Sequence, residues 1–215
     1  MSSNIEYWTK KYSKDNYAWG QEPSDVAARV DEYLGSGRSA LDIGCGCGRD
    51  ALYFARKGSA AVGIDFCEEG IRQARELKEK DGIQGSLEYQ VADFRHLSDY
   101  FPKASFDLIC SYNSFHLLRE VDRKAAFQQM IDLLKPGGVL AFEVFSTKEG
   151  GYGDGEEIER GTFVKKTQIV HFYDDVEIRE LTSPLEVIQL EHVTPFEDYP
   201  NDHRHQEWLY IGRKK

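Results

Sequence analysis

The chain has 215 residues, of which 40% are hydrophobic and 30% are charged, a balance typical of a globular protein with one core. Its formal net charge is −10, and because binding to a phosphate backbone draws on clustered Lys and Arg, no nucleic-acid partner is expected. No apolar run approaches the roughly 18 residues of a transmembrane helix, and the first residues do not resemble a signal peptide. We therefore expect a cytoplasmic protein with no membrane partner.

The first segment is rich in aromatic residues. A helix is predicted over residues 23–35, because Pro23 and two small polar residues precede apolar side chains at helical spacing. This helix would form an N-terminal helical cap. The large aromatics before it either fill the core or form one wall of a substrate pocket. The pocket candidates among them are Trp8, Tyr12 and Trp19.

The next part of the chain predicts a strand, a loop and a helix in succession. An apolar run ends at Ile43, the loop has glycine at every second position, and the helix ends near Gly58. Glycine at such spacing lets a ligand approach bare backbone at the positive end of a helix dipole. The dinucleotide fingerprint needs a third glycine at position 49, but that residue is Arg49 and the glycine comes one position earlier. The spacing therefore fits a nicotinamide or flavin enzyme poorly.

The observed D-x-G-x-G-x-G pattern, from Asp42 to Gly48, resembles the first motif of class I (Rossmann-like) S-adenosylmethionine-dependent methyltransferases. The resemblance implies that the loop backbone at Gly44, Cys45, Gly46 and Gly48 packs against the methionine part of the cofactor. It also implies that Asp42 helps to organise the charged end of that cofactor. The alternative is an ordinary tight turn between a strand and a helix.

The next strand, residues 60–64, ends at Asp65, which lies 21 residues beyond Gly44. A carboxylate at a strand end accepts hydrogen bonds from both ribose hydroxyls of an adenosine, in either cofactor family. Phe66 either packs on the adenine face or is a buried core side chain. A helix over residues 68–80 follows, with apolar residues on one face and acidic residues in the first turn.

A third strand, residues 87–91, leads to Asp93 and Phe94. The family resemblance places an acid at this strand end against the adenine amino group, with Phe94 beside the ring. Asp93 has a second interpretation as the N-cap of a short helical segment over residues 94–100, and the two roles are compatible.

A fourth strand, residues 106–112, resembles the family's fourth motif and brings Ser111 to the same sheet edge. The following turn lacks the Asn/Asp-Pro-Pro-aromatic sequence of family members that methylate amide-like nitrogens. His116 is a candidate proton acceptor, with a capping or core histidine as the alternative, and Tyr112 is a weak candidate for a catalytic role.

Leu-Lys-Pro-Gly-Gly at residues 134–138 ends a predicted helix over residues 121–134, and a fifth strand is predicted from Val139 to Phe145. Residues 146–162 are rich in glycine and acids, and predict a mobile loop or a lid. The later elements are a hairpin over 162–164 and 168–173, a helix from Asp174 to about Ser183, and antiparallel strands over 185–193 and 207–211.

No metal site is expected. The four cysteines, at Cys45, Cys47, Cys67 and Cys110, lack zinc-ligand spacing and predict reduced structural thiols, although a redox or soft-metal role for the first two stays open. His203 and His205 form a possible zinc pair, but two exposed or substrate-edge histidines are favoured.

Strands alternating with helices and a final hairpin predict an α/β fold. The resemblance implies a three-layer αβα sandwich around a seven-stranded, mostly parallel sheet with one antiparallel strand, capped by N-terminal helices. We expect a single methyltransferase domain over residues 1–215. It consists of a cap (1–37), a cofactor-binding half (38–146) and a substrate-side half (147–215) with the final hairpin.

The front segment and tail are most similar to the small-molecule group that includes tellurite-resistance and thiopurine-type enzymes. We therefore expect in-line methyl transfer from S-adenosyl-L-methionine to a thiol, oxyanion or other metabolite, with S-adenosylhomocysteine as product, in a monomer or weak homodimer. Besides the front aromatics, the pocket candidates are Tyr112, His116 and Phe145. The alternatives are a non-catalytic adenosine-cofactor-binding module and an NAD-dependent oxidoreductase.

Overall fold

A computed structural model describes residues 2–14, 20–83, 85–165, 168–194 and 204–215. Trp19 and His203, two of the residues singled out above, lie outside the described residues.

A central sheet of seven strands organises the molecule, in the order β3-β2-β1-β4-β5-β10-β9. Strands β1 to β5 run parallel to one another, whereas β10 is antiparallel to both β5 and β9. The strands are β1 (Ser39–Ile43), β2 (Ala60–Asp65), β3 (Leu87–Val91), β4 (Phe106–Tyr112), β5 (Leu134–Phe145), β9 (Leu185–Val193) and β10 (Glu207–Lys214). The predicted sheet, mostly parallel with one reversed strand, is confirmed.

Helices cover both faces of this sheet. One core joins the sheet to α2 (Asp25–Arg29), α3 (Arg49–Arg56) and α4 (Glu68–Asp81). The other joins it to α5 (Glu120–Leu133), α6 (Asp175–Leu181) and a 3₁₀ segment at Phe94–Asp99. Alternate residues of one strand point to opposite cores, as Ala40 and Leu41 do in β1. The three-layer arrangement follows from this alternation.

The strand order reverses between β1 and β4, because the chain adds β2 and β3 on one side of β1 and returns to build β4 and β5 on the other. In open α/β sheets, ligands bind in the crevice beyond the carboxyl ends of the strands at such a point. The glycine loop after β1 and the turn after β4 both open there.

Two predictions on the substrate side need correction. Strand β5 begins at Leu134 rather than at Val139, because Leu134 already pairs with Phe106 of β4 before the register shift at the Pro-Gly-Gly turn. The predicted loop over 146–162 contains a strand, β6 (Glu156–Glu159), which pairs with β7 (Thr162–Lys165). Strand β7 in turn pairs with β8 (Gln168–His171), as the predicted hairpin required, so a separate three-stranded sheet forms.

The N-terminal region packs over the glycine loop. Helix α1 (Ser2–Lys14) buries Tyr12 against Cys47 and Cys67, and the backbone oxygen of Tyr12 accepts a hydrogen bond from Gln73 of α4. The helix predicted over 23–35 is shorter than expected: α2 ends at Arg29, and a 3₁₀ turn at Asp31–Tyr33 follows. Tightening into a 3₁₀ turn is common at helix ends. Within the described ranges, the search for a helix with the length and apolarity to cross a membrane finds none.

Candidate functional site

A cavity of about 290 Å³ opens at the carboxyl ends of β1, β2, β4 and β5. Its lining residues come from the N-terminal helix, the glycine loop, the strand ends and the small sheet. They are Tyr7, Trp8, Tyr12, Asp42, Gly44, Cys45, Gly46, Arg49, Asp50, Asp65, Phe66, Phe94, Tyr112, Asn113, Ser114, His116, Leu117, Phe145, Gln168, Val170 and His205.

The glycine loop presents its backbone to this cavity. Gly44 and Gly46 have φ values of 72° and 52°, in the left-handed region that favours glycine. A Cβ atom at Gly44 would lie 1.9 Å from the Ser114 hydroxyl oxygen, so a side chain would collide with the turn after β4. The loop is held in place because the amides of Gly44 and Cys45 both donate to the Ile64 carbonyl, at 2.8 and 2.9 Å.

Carboxylates dominate the charge around the loop. Asp42 accepts a hydrogen bond from the amide of Ala51 in α3 at 3.1 Å, and Asp50 accepts two from Ser24, at 2.7 and 2.6 Å. Burial, together with the charge of Asp50, raises the pKa of Asp42 well above its usual value. Three aspartates and one arginine, Arg49, line the described cavity, although the raised pKa shifts Asp42 toward its neutral form.

Asp65 ends β2 at the cavity wall. Its carboxylate accepts hydrogen bonds from the amides of Gly46 at 3.0 Å and Cys67 at 2.8 Å. A carboxylate has about four acceptor positions, so Asp65 keeps capacity for ligand hydroxyls. Burial raises its pKa to about 6, against the opposing effect of the backbone hydrogen bonds. At neutral pH the group is therefore mostly ionised and able to accept.

Aromatic rings surround the rest of the cavity. Trp8 stacks on Tyr12 with ring centroids 5.7 Å apart, and both line the cavity beside the glycine loop. Phe66 and Phe94, which follow the ends of β2 and β3, also line it. The side chains predicted to flank an adenine are therefore in the cavity.

The turn after β4 contributes two polar side chains. Asn113 has a φ of 49°, and its amide nitrogen donates to the carboxylate of Glu207 at 2.6 Å. His116 is buried and stacks on Phe145, with ring centroids 4.5 Å apart. Burial, with further contributions from His205 and His171, lowers the pKa of His116 to about 3. This imidazole is neutral at physiological pH and a weak base.

Comparison with known proteins agrees with this geometry. Residues 40–138 match the sequence profile of a family described as a methyltransferase domain. Methyltransferase GfsG of Streptomyces halstedii is 31% identical over 138 residues, which cover 63% of this chain and 48% of that protein. The S-adenosyl-L-methionine-dependent Diels-Alderase iliD of Neonectria sp. (strain DH2) is 31% identical over 156 residues, covering 68% of this chain and 57% of that protein.

Among solved structures, the 1,6-didemethyltoxoflavin-N1-methyltransferase of Burkholderia thailandensis has the same fold, with a TM-score of 0.77 at 17% identity. The alignment covers 100% of this chain and 88% of that one, whose crystal structure holds 1,6-didemethyltoxoflavin and S-adenosylhomocysteine. Residues 40–138 therefore match a methyltransferase domain in sequence, and the chain shares the fold of this solved methyltransferase.

The chain spans about half the length of the curated relatives that it matches, 48% and 57% of the two proteins described. The predicted fold is confirmed, and the match over residues 40–138 agrees with the resemblance of the D-x-G-x-G-x-G pattern to methyltransferases rather than with an NAD-dependent oxidoreductase.

Three residues predicted to bind the methyltransferase cofactor do not line the cavity. Asp93 caps the 3₁₀ segment through the Arg95 amide at 3.0 Å and pairs with the Arg95 guanidinium at 2.6 Å. The Ser111 hydroxyl donates to the Ile43 carbonyl at 2.8 Å, inside the sheet. Gly48 is needed for packing, because a Cβ atom there would lie 2.6 Å from the Tyr89 ring.

The remaining predicted cofactor residues, in the glycine loop and after β2 and β3, all line the cavity, as do the substrate-pocket candidates that the structure describes. The sequence did not mark Arg49, Asp50 or Asn113 as site residues. Arg49 and Asp50 directly follow the third glycine of the loop, and Asn113 directly follows β4. Gln168 and Val170 reach the cavity through the small sheet, and no local pattern marks them.

The cysteines and histidines form no metal centre in the part of the chain that the structure describes. All four cysteines are buried thiols. Cys47 donates to Gln73 at 3.1 Å, a structural contact between the loop and α4. His205 lines the cavity and lies 3.3 Å from the Glu149 carboxylate.

Proposed function

We propose that this chain transfers a methyl group from S-adenosyl-L-methionine to a small-molecule acceptor bound in the same cavity. The observation that carries the proposal is that one cavity joins an acidic, glycine-lined region to a region walled by side chains from the cap, β5 and the small sheet.

The residues present fit the cofactor. Bare backbone at Gly44 and Gly46 leaves room where any side chain would collide with Ser114 or Tyr12. Asp65 has acceptor capacity for ribose hydroxyls and is mostly ionised at neutral pH, which favours a ligand that carries a sulfonium and an ammonium group. We propose that Phe66 and Phe94 lie along the adenine ring.

Bound there, S-adenosyl-L-methionine supplies a methyl group on a positively charged sulfur, and the acceptor's lone pair takes the methyl carbon while the carbon–sulfur bonding pair stays on sulfur. The chain contributes chiefly position and field, because such a displacement needs alignment more than acid or base catalysis. With a pKa of about 3, His116 is too weak a base to deprotonate an acceptor at neutral pH. His116 therefore orients the acceptor.

We propose further that the whole chain acts as one domain in the cytoplasm, with no nucleic-acid or membrane partner, as a monomer or weak dimer. The net charge of −10 supports this by opposing contact with phosphate backbones. The enclosure of the cavity by aromatic side chains supports an acceptor of metabolite size.

Two measurements test the function. Calorimetry should show binding of S-adenosylhomocysteine and none of NAD. Incubation with methyl-labelled cofactor and a metabolite extract should then yield a labelled small molecule, with an extract-free reaction as control.

Binding of NAD alone would overturn the proposed cofactor. Binding of S-adenosylhomocysteine without any labelled product would overturn methyl transfer. Mass spectrometry of the extract would then show whether a metabolite is rearranged instead, a reaction of the kind that the name of the Neonectria relative states.

A further inference from the structure

One end of the cavity is built from residues that the cofactor motifs do not include. They come from the 3₁₀ segment after β4, the end of β5, the first residues of β8 and the start of the β10 region. This acceptor end consists of His116, Leu117, Phe145, Gln168, Val170 and His205.

Flat rings dominate the acceptor end. Phe145 stacks with His116 at a centroid distance of 4.5 Å and an interplanar angle of 29°, and with His205 at 4.8 Å and 33°. Phe172 continues the series behind Phe145, at 6.2 Å and 28°. Near-parallel rings at these separations form a wall against which a planar ligand gains stacking contact.

Two buried polar atoms stand beside this wall. The Nδ1 atom of His116 and the Oδ1 atom of Asn113 are both inaccessible to water, and neither has a hydrogen-bond partner among the described residues. Both side chains line the cavity. An unsatisfied buried polar atom costs about 1 to 3 kcal/mol, so a ligand that hydrogen-bonds to either atom gains free energy.

Among its described residues, the acceptor end has no unbalanced charge. Their ionisable side chains are two imidazoles, of which His116 is neutral. His205 lies 3.3 Å from the buried Glu149 carboxylate, which would balance a positive charge on that ring. Arg49 belongs to the glycine-loop side, where its guanidinium lies 5.3 Å above the Tyr112 ring. Among the described residues, an oxyanion would therefore find no cation at this end that a carboxylate does not already balance.

We infer that the methyl acceptor is an uncharged planar aromatic or heteroaromatic molecule, held against Phe145 and hydrogen-bonded to His116 and Asn113. This inference rests on the proposed function, since it names the second ligand of the same cavity. It also narrows the earlier expectation of a thiol, an oxyanion or another metabolite, because a flat, uncharged wall favours none of the small anions.

Three probes of matched size separate shape from charge: 2-naphthol, which is planar and neutral, decahydro-2-naphthol, which is neutral but not planar, and 2-naphthoate, which is planar but anionic. Binding of each is measured by calorimetry, with and without saturating S-adenosylhomocysteine. We expect 2-naphthol to bind at least about tenfold more tightly than the other two, from about 1.4 kcal/mol of stacking and hydrogen bonding.

Equal binding of the saturated alcohol, tighter binding of the naphthoate, or no binding of 2-naphthol would each overturn the inference. The affinities for the three probes are also measured without S-adenosylhomocysteine. If the cofactor fails to bind, the proposed function is overturned, but the order of the three affinities can still be determined.

A pair of variants locates the binding. Phe145→Leu should weaken the binding of 2-naphthol by about three- to tenfold, because the ring contact is lost, while the affinity for S-adenosylhomocysteine stays unchanged. The matched control is Phe101→Leu, at a partly buried phenylalanine that packs on Phe106 and does not line the cavity. Equal affinities for 2-naphthol in the two variants would place the probe elsewhere and contradict the assignment.

Discussion

Asp65 is governed by two opposing effects. Burial favours its neutral form, while hydrogen bonds from the amides of Cys67, Gly46 and Phe66 favour the carboxylate. The resulting pKa of about 6 lies close to physiological pH, so modest acidification changes the charge of the group. A protonated Asp65 loses acceptor capacity exactly where the proposed ribose hydroxyls would donate.

We predict that S-adenosylhomocysteine affinity falls as the pH drops below about 6, with the Asp65 pKa as the cause. Asp65→Asn should weaken binding about 10- to 100-fold at pH 7.5, the loss expected for hydrogen bonds to a charged group, and should flatten the dependence near pH 6. Calorimetry between pH 5 and 8 measures both effects.

Asp107→Asn is the matched control for Asp65→Asn. Asp107 lies at the opposite edge of the sheet, hydrogen-bonded to Ser39 and Lys135, and does not line the cavity. This variant should bind S-adenosylhomocysteine as the wild type does. Unchanged affinity in Asp65→Asn would show that the carboxylate does not hold the ribose.

The small sheet β6–β8 is tied to the rest of the molecule by a buried polar network. His171 lies 2.8 Å from both the Thr162 hydroxyl and the Glu177 carboxylate, and Arg123 lies 2.8 Å from Glu177. Arg123 also donates to the Leu118 carbonyl at 3.0 Å. The network therefore joins β7 and β8 to α5, α6 and the segment that carries His116.

Hydrogen bonding decides the charge state of this network. Burial opposes ionisation of Glu177, but hydrogen bonds from His171 and Arg123 outweigh it and lower the pKa of the carboxyl. Arg123 is only 3% exposed, so its removal leaves a carboxylate with too few donors. Breaking such a pair costs more than the pair contributes in net stability.

We predict that Arg123→Met lowers the free energy of unfolding by about 3 kcal/mol and opens the small sheet locally. Amide hydrogen exchange should become faster in β7 and β8, and urea unfolding should report the loss of stability. The control is Lys124→Met, which removes an exposed ion pair with Glu120 and should change the free energy of unfolding far less. Equal costs would contradict a structural role for the network.

The elements of the cofactor half follow local patterns closely. Strand β1, the glycine loop and α3 occur where apolar runs, glycine spacing and the helix stop at Gly58 predict them. The errors lie where pairing partners are distant in sequence. Strand β5 begins early because Leu134 pairs with Phe106, and β6 forms because β7 provides a partner. A stretch as polar as Glu156–Glu159 shows no alternating apolar pattern of its own.

Two carboxyl groups are buried together where the reversed strand enters the sheet. Glu143 of β5 and Glu207 of β10 are both completely buried and interact with each other. Burial, followed by the charge of Glu207, raises the pKa of Glu143 well above its usual value. The pair therefore retains a proton that the unfolded chain releases.

The sign of the pH effect follows from this retained proton. A raised pKa in the folded state contributes stability that is complete below the unfolded pKa, near 4.5, and is lost as the pH rises through the folded pKa. The pair should thus make the protein less stable at pH 8 than at pH 5.

We predict that Glu143→Gln is more stable than the wild type at pH 8, with the difference shrinking toward pH 4.5. The glutamine amide donates a hydrogen bond to Glu207 at every pH without releasing a proton. Thermal unfolding across this range measures the effect, with Glu88→Gln, at an exposed position on β3, as control. A difference independent of pH would exclude the shared proton.

Local pattern was sufficient for the cofactor half of the molecule, because a glycine loop and a carboxylate at a strand end act through backbone geometry within a few residues. Asp65, Phe66 and Phe94 could be found in this way, since parallel strands bring their carboxyl ends to one edge. The acceptor end could not, because Gln168, Val170 and His205 reach the cavity only when the small sheet and β10 pack beside β5. The place of Asp93 before the 94–100 segment predicts its N-cap role, which is confirmed by its hydrogen bond from the Arg95 amide. Sequence spacing does not show that Ser111 and Gly48 turn to internal partners, because contacts with Ile43 and Tyr89 form only as the chain packs.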